Sequence, residues 1–560
     1  MPGAGNKVWQ REVNVFVMDR ARHLESIGNE TFDLCIIGGG ASGAGSALDA
    51  ALRGLKVVLV EQDDFAAETS SKSTKLIHGG VRYLEQAFKN LDFGQLRQVR
   101  HGLEERHIVL HNAPHLAHEL ALITPVSTWL EGLYFSIGLK LYDWFASGSD
   151  TLQGSRWLSK ADTLARVPGL NRNIHSAVLY YDGQLDDARY CLALVQSAAE
   201  AGAIVVNHAQ VVEFEKDLSG GLQAAVVRDT LSNGQMRIRS KVFLNCTGPH
   251  ADRIRVLANP ALTARIRPSK GVHVVLPLDV LGSRDALLIP KTKDGRVVFA
   301  IPFEGMLLLG TTDNDFPNPT NEPVLETKEV EFLLETLQPF VSKPLDRKLV
   351  RSGFGGLRPL IAAVNKQTKT LLRDHEVERD TESGLFSLLG GKWTTYRLMA
   401  KDAIDAVCSQ LGVEKACPTS THLLAGAEDF DFDRIKKQLT DQGLNDDISQ
   451  HLTLKYGSRA IRVSAIGQQQ PELLEPVLPE MPFIKAEVVY AARHEMACTV
   501  RDFLARRIRL EISDWQAAMA AAPVVSDLMG DELGWTGQEK TENAAAYMEL
   551  IRTFIQRSQA

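Results

Sequence analysis

Three glycines and an acid supply the first chemistry legible in this chain. Gly38, Gly40 and Gly43 stand in G-x-G-x-x-G spacing, and Glu61 follows one helix and one strand later. Gly38 permits a tight turn, Gly40 lets the backbone approach a pyrophosphate, and Gly43 lets the next helix pack closely. Ala41 and Ser42 fall at the start of that helix, whose unpaired N–H groups and positive dipole end suit phosphates. Glu61, at the end of the second strand, can accept hydrogen bonds from both hydroxyls of an adenosine ribose. This is dinucleotide chemistry. The glycine spacing alone does not separate NAD from FAD.

The elements that must hold these residues are equally legible. Phe32–Ile37 is a short apolar run bounded by glycine and reads as a buried strand. A helix carrying Ala47, Leu48, Ala51 and Leu52 breaks near Gly54, and Lys56–Val60 forms the second strand. Residues 66–86 begin with hydroxyls at Thr69, Ser70, Ser71, Ser73 and Thr74, then gather Lys75, His78, Gly79, Gly80, Arg82 and Tyr83. Paired glycines flanked by His and Arg fit backbone pressed against a ligand better than a solvated loop. From Arg265 to about Val350 short apolar strands punctuated by Gly and Pro suggest an antiparallel sheet, with His273 inside its first strand. Arg358, Arg373 and Lys392 are three cations beside glycine-rich or strand-end backbone. They read either as a phosphate seat or as ordinary surface charge.

Bulk properties set the outer limits. The 560 residues suggest three or four domain-sized units, with 44% hydrophobic and 23% charged residues. A net charge of −7 and no recognition motif leave no footprint for nucleic acid. Six cysteines, none in a C-x-x-C pair, read as buried thiols of a reducing compartment rather than disulfides or a zinc site. The acids Asp182, Asp186 and Asp187 lack further metal ligands; Asp186 or Asp187 is expected to cap the helical run 188–201. No metal is expected. Residues 1–30 are mixed and charged without an apolar h-region, so no signal peptide is expected.

The segment SSKSTKLIHGGVRYLE resembles the signature of the FAD-dependent, quinone-linked glycerol-3-phosphate dehydrogenases in the D-amino-acid-oxidase-like superfamily. The same family pattern runs through YYDGQLDDARY (180–190), LNCTGPHAD (244–252), RPSKGVHVVLP (267–277), LLLGTTDNDF (307–316), FGGLRPL (354–360), RDHEV (373–377) and LLGGKWTTYRLMA (388–400). These blocks keep their order across most of the chain. The resemblance implies an α/β fold: a Rossmann-like FAD-binding domain, an antiparallel β substrate cap and a C-terminal helical domain. Residues 1–30 form an extension; 31–115, 170–264 and 351–411 form the FAD domain; 116–169 and 265–350 form the cap; 412–560 form the helical domain.

The resemblance also implies residue roles. FAD would be held by Gly38, Gly40, Ala41, Ser42, Gly43, Glu61, Thr69, Ser70, Ser71, Lys75, Leu76, His78, Gly79, Gly80, Thr247, Gly248, Gly391, Lys392 and Thr394. The helix after Lys392 would turn its dipole towards the reduced flavin. The reaction implied is oxidation of sn-glycerol 3-phosphate to dihydroxyacetone phosphate, with hydride passing from C2 to flavin N5. Arg358, Arg373 and Lys392 would hold the phosphate, and Arg82 and Tyr83 would orient the hydroxyls. His273 would be the base, an imidazole titrating near neutral pH, with Arg358 an alternative partner for the alkoxide. Thr311, Thr312 and Asp313 would line the same cavity. Electrons would go to membrane quinone; an oxygen-using oxidase and a non-enzymatic flavin-binding scaffold are the alternatives.

Residues 120–139 contain one charge, Glu131, yet Pro125 and the lack of a long clean run argue against a spanning helix. Leu130, Leu133, Tyr134, Ile137, Leu141, Trp144 and Phe145 fall on one face at helical spacing, with Trp129 and Tyr142 also suited to an interface. That stripe fits either the protein's own core or, with quinone as acceptor, monotopic attachment. The expectation is a protein of the cytoplasm, peripherally attached to the cytoplasmic membrane, with a homodimer among the oligomeric options. The segment EMACTVRDFLARRIRLEI (495–512) reads as an amphipathic helix. Its Arg501, Arg506, Arg507 and Arg509 are expected on a solvated, salt-bridged face, with lipid contact as the alternative.

Overall fold

The computed structural model describes residues 18–79, 93–146, 152–290, 292, 296–317, 322–362 and 375–559. Side chains at 93–98, 141–142 and 144–146 fall outside that description. Two sheets and a helical C-terminal region organise the chain.

The first sheet is built on the strand Thr31–Ile37, whose residues after Phe32 are mostly buried apolar ones. It pairs in parallel with Val57–Val60 on one side and Gln235–Asn245 on the other. Ile204–Val206 and Phe386–Gly390 extend the parallel set outward. Burial on both faces explains the near-continuous apolar runs. The helix Ala41–Leu52 starts at Gly40 and packs its small residues against the helices Asp187–Glu200 and Tyr396–Leu411. Asp186 caps the helix Asp187–Glu200, its carboxylate accepting from Arg189 N.

The second sheet has the long strand Ile266–Pro277 between Ser352–Ile361 and Met306–Gly310, both antiparallel to it. Val298–Phe303, Ala286–Ile289, Ala117–Val126, Ser176–Leu185 and Leu76–Ile77 continue it. One join, Ala286–Ile289 to Ala117–Val126, is parallel. The strands Ser176–Leu185 and Ser352–Ile361, expected within the FAD domain, hydrogen-bond into this second sheet instead. Hydrophobic pattern identifies a strand but not which sheet receives it.

One face of this sheet, with Val272, Val274, Leu287 and Leu309, packs on C-terminal helices through Val488, Phe503, Val525 and Ile551. The opposite face carries Val275, Leu288, Leu308 and Phe354, and Leu139 with half-buried Phe135 covers part of it. Those two residues belong to the helix Trp129–Ala146. Leu120–Val126, read with that helix in the sequence, is a sheet strand. No helix among the described residues is long and apolar enough to cross a membrane.

Candidate active site

At the carboxyl ends of the parallel strands lies an open cavity of about 150 Å³. Gly38, Gly40, Ala41, Ser42, Glu61, Thr69, Ser70, Thr247, Gly248, Gly391 and Lys392 all stand in its walls. Glu61 accepts from Gly39 N at 2.6 Å and Asp63 N at 2.9 Å. Burial nevertheless pushes its carboxyl up to about 7, and nearby Asp63 and Glu68 push the same way. It is an acceptor short of donors, which ribose hydroxyls would supply. Ala41 N donates to Ser70 Oγ at 2.9 Å, joining the helix start to the hydroxyl-rich turn, and Trp393 Nε1 donates to Ser70 O at 2.9 Å.

Gly43 is not a wall residue. A Cβ there would collide with Gly38 O, so its role is the close helix packing read from the spacing. At the other end of the cavity Gly390 and Gly391 turn with φ of 73° and 87°, backbone that side-chain-bearing residues rarely adopt. They deliver Lys392 and Trp393, the first residue of the turn Trp393–Thr395, to the wall. A ribose acceptor, a helix start for pyrophosphate and a cationic turn in the walls of one cavity form a set that fits FAD.

Next to wall residue Pro359, Arg358 reaches across the second sheet. Its Nη2 donates to Thr312 O at 3.0 Å and Thr311 Oγ1 at 3.2 Å, and its Nη1 lies 3.3 Å from Asp313 Oδ1. Thr311, Thr312 and Asp313, expected to line the substrate cavity, gather around Arg358 and do not stand among the walls of the cavity described above. His273 pairs in register with Phe354 and Gly310, and Ser269 pairs with Arg358, so both functional side chains share a sheet face. Two glycines clear that face. A Cβ at Gly271 would lie 2.5 Å from Arg358 Nη2, and one at Gly310 would collide with the His273 ring.

His273 is buried, stacks on Phe354 at 4.9 Å, and has Nε2 3.1 Å from Thr74 Oγ1. Its Nδ1 has no hydrogen-bond partner among the described residues. Burial first, then Lys75 and Arg358, hold its pKa well below the ordinary histidine range. The expected titration near neutral pH is therefore not met in the ligand-free site.

Several expectations move. Arg82, Tyr83, Gly80 and Arg373 lie outside the described residues. Among the described residues, the cavity walls omit Ser71, Lys75, Leu76, His78, Gly79 and Thr394. Lys75 is turned away, its Nζ donating to Asp187 Oδ2 and Ser71 O, both at 2.7 Å. Leu76 belongs to the core of the second sheet. The wall includes residues not foreseen: Glu68, Val211, His250, Arg253, Trp393 and Met399. Val211 lies in the strand after Ile204–Val206, next to a parallel-strand carboxyl end, which is where ligands of such sheets bind. That rule was the available signal.

The arginine cluster is also corrected. Residues 502–507 form a π-helical turn rather than a regular amphipathic helix. Arg506, Arg507 and Arg509 are buried, so a solvated or lipid-facing role does not hold for them. Arg506 and Arg507 bind Asp64, and Arg509 binds Asp187. Arg501 is partly exposed and pairs with Glu322 and Glu511. Asp64, Asp187 and Glu322 lie far away in sequence, which hid these pairings.

Among the described residues no cluster of His, Cys, Asp and Glu could hold a metal ion. Residues 33–399 match the family described as FAD dependent oxidoreductase, and 417–540 match the C-terminal domain of alpha-glycerophosphate oxidase. The chain is 43% identical over 537 residues to a probable mitochondrial glycerol-3-phosphate dehydrogenase of Caenorhabditis elegans, covering 94% of this chain and 73% of that protein. It is 39% identical over 539 residues to the mitochondrial glycerol-3-phosphate dehydrogenase of Homo sapiens, with the same coverage of 94% and 73%. Its fold is similar to the glycerol-3-phosphate dehydrogenase from Bacillus halodurans complexed with FAD, at TM-score 0.79 and 28% identity, covering 96% and 98% of the two chains.

Proposed function

The chain belongs to the FAD-dependent glycerol-3-phosphate dehydrogenase family, with FAD as cofactor, and from that membership we propose that it oxidises sn-glycerol 3-phosphate at C2 to dihydroxyacetone phosphate. The observation that carries this reading is the shared sheet face of Arg358 and His273, with Arg358 next in sequence to the cavity-wall residue Pro359 and Lys392 in the wall of the same cavity. Bound FAD supplies the two-electron acceptor that takes the C2 hydride.

The chain's own residues do the rest. Arg358 is pre-aimed by Thr311, Thr312 and Asp313, and with Lys392 it receives the phosphate dianion. His273 accepts the C2 hydroxyl proton as the carbonyl forms. The dianion offsets the cations that hold the imidazole down, so substrate binding raises the basicity of its own base. Arg358 additionally favours negative charge on the C2 oxygen. Arg82, Tyr83 and Arg373 complete the proposed substrate contacts.

The electron acceptor we propose is membrane quinone, reached from a protein attached peripherally to the cytoplasmic membrane. Support comes from the helix Trp129–Ala146, where Leu130, Tyr134 and Ile137 are 68%, 50% and 55% exposed on the side away from Phe135 and Leu139. A continuous outward apolar stripe is rare on proteins that meet only water. Anaerobic addition of glycerol 3-phosphate to the FAD-loaded protein is expected to bleach the flavin absorbance. A spectrum that stays yellow overturns the reading.

A further inference from the structure

Asp187 is the point where the C-terminal helical region meets the turn that carries Thr74. Its carboxylate is fully buried and accepts five hydrogen bonds. Oδ2 takes Ser73 N at 3.0 Å, Ser73 Oγ at 2.7 Å and Lys75 Nζ at 2.7 Å. Oδ1 takes Ala188 N and Arg509 Nη2, both at 2.9 Å. The same Nη2 donates to Ser71 O at 2.8 Å, and Nη1 donates to Ala505 O at 2.8 Å. Asp186 is a second carboxylate beside the cluster, with Oδ1 3.3 Å from Arg509 Nε, and it also accepts from the buried Lys455 Nζ at 2.5 Å.

Thr74 stands inside this cluster, between Ser73 and Lys75, and its hydroxyl meets His273 Nε2. Lys75 and Arg509 both hold left-handed backbone, at φ of 63° and 67°, without being glycine. Such conformations persist where surrounding bonds over-determine them, and they concentrate at functional sites. The docking of the C-terminal region has other anchors in Arg506 and Arg507 on Asp64. The fork of Arg509 is therefore free to serve the turn.

We propose that Arg509 is a positioning residue for the reaction: it fixes the turn 71–75 through Asp187 and Ser71, and Thr74 transmits that placement to His273. This rests on the reading of the reaction given above, and adds that the C-terminal region completes the active site from 438 residues along the chain. Lysine would keep the charge but lose the planar fork that spans two acceptors.

The test uses full-length, FAD-loaded Arg509→Lys, Thr74→Val and the double variant. Arg509→Lys is expected to lower kcat for glycerol 3-phosphate by about tenfold or more while KM moves less than about threefold, with FAD content unchanged. If Arg509 acts through Thr74, the double variant loses no more than the worse single one. Hydrogen–deuterium exchange in the peptide covering 71–77 should speed up in Arg509→Lys, while exchange in Thr31–Ile37 stays as in the parent protein. Losses that multiply, or unchanged exchange at 71–77, overturn the proposal. A parent protein that glycerol 3-phosphate fails to reduce would sink the reaction instead, and the exchange measurement would still judge Arg509. Should Arg509→Lys fail to fold, Ser73→Ala takes its place, because Ser73 Oγ bonds both Asp187 and Lys75 N.

Discussion

Asp64 and Arg507, 443 positions apart, are joined by two hydrogen bonds in a fully buried seam, Nη1 to Oδ2 at 2.7 Å and Nη2 to Oδ1 at 3.0 Å. Arg506 Nε and Asn207 Nδ2 complete the carboxylate's partners, at 2.5 Å and 3.1 Å. Removing one member of a buried pair strands the other charge, at a cost of about 3–5 kcal/mol. Asp64→Asn is accordingly expected to lower the urea midpoint of the FAD-loaded protein. An unchanged midpoint would show that this seam carries little of the stability.

That pair also marks where sequence reasoning ended. The unit from Thr31 to Glu61 was legible because its strand, glycine turn, helix and second strand are local, and Gly43 is crowded by Gly38 within the unit, whereas Gly38 and Gly40 are crowded by Cys246 and Ser70 from outside it. His273 and Arg358 were legible as candidates through the blocks around them, but their shared sheet face depends on the register between Ile266–Pro277 and Ser352–Ile361. Lys75 was misplaced because loop composition does not show which way a side chain turns at φ 63°. The charges of Arg506, Arg507 and Arg509 read as solvated because two of the acids that bury them, Asp64 and Asp187, come from far earlier in the chain.

Glu61 gives the FAD-free protein a defined pH dependence. Its folded-state pKa, about 7, lies above its ordinary 4.5, so the folded protein binds the extra proton across that window. Stability of the FAD-free protein therefore falls as pH rises from about 4.5 to 7. Glu61→Gln should flatten this slope in thermal unfolding. It should also weaken FAD binding by about ten- to a hundredfold, the worth of hydrogen bonds to a charged acceptor. A slope that survives the substitution would assign the pH dependence to other groups.

Arg358 can be tested by deletion and by displacement. Arg358→Ala should raise KM for glycerol 3-phosphate by about ten- to a hundredfold, through loss of a charge-assisted contact, and should barely alter any use of free glycerol. Gly271→Ala keeps the guanidinium but puts a methyl 2.5 Å from Nη2 and 2.7 Å from Thr311 Oγ1, the far ends of movable side chains. It should raise KM in the same direction with little change in stability. Equal effects on both substrates would refute the phosphate seat.

The helix Trp129–Ala146 has two apolar sides, and among the described residues only one is accounted for by packing. Phe135 and Leu139 lie against the second sheet, whereas Trp129, Leu130, Leu133, Tyr134 and Ile137 are exposed. The side chains of Leu141, Tyr142, Trp144 and Phe145 lie outside the described set. A stripe at 130, 133, 134 and 137 recurs on one helical face, the geometry of a helix lying in a bilayer interface. Burying one Leu or Ile side chain is worth about 1.5–3 kcal/mol, roughly a tenfold or greater change in partitioning. Leu130→Asp and Ile137→Asp, each made singly, should weaken binding to phospholipid vesicles by about that factor. Because neither side chain belongs to the core, FAD content and the bleaching of flavin by glycerol 3-phosphate in free solution should stay at parent levels, whereas quinone reduction in vesicles should fall with binding. Vesicle binding that ignores both substitutions would leave the stripe without a role at the membrane, and would move the attachment and the path to quinone elsewhere on the surface.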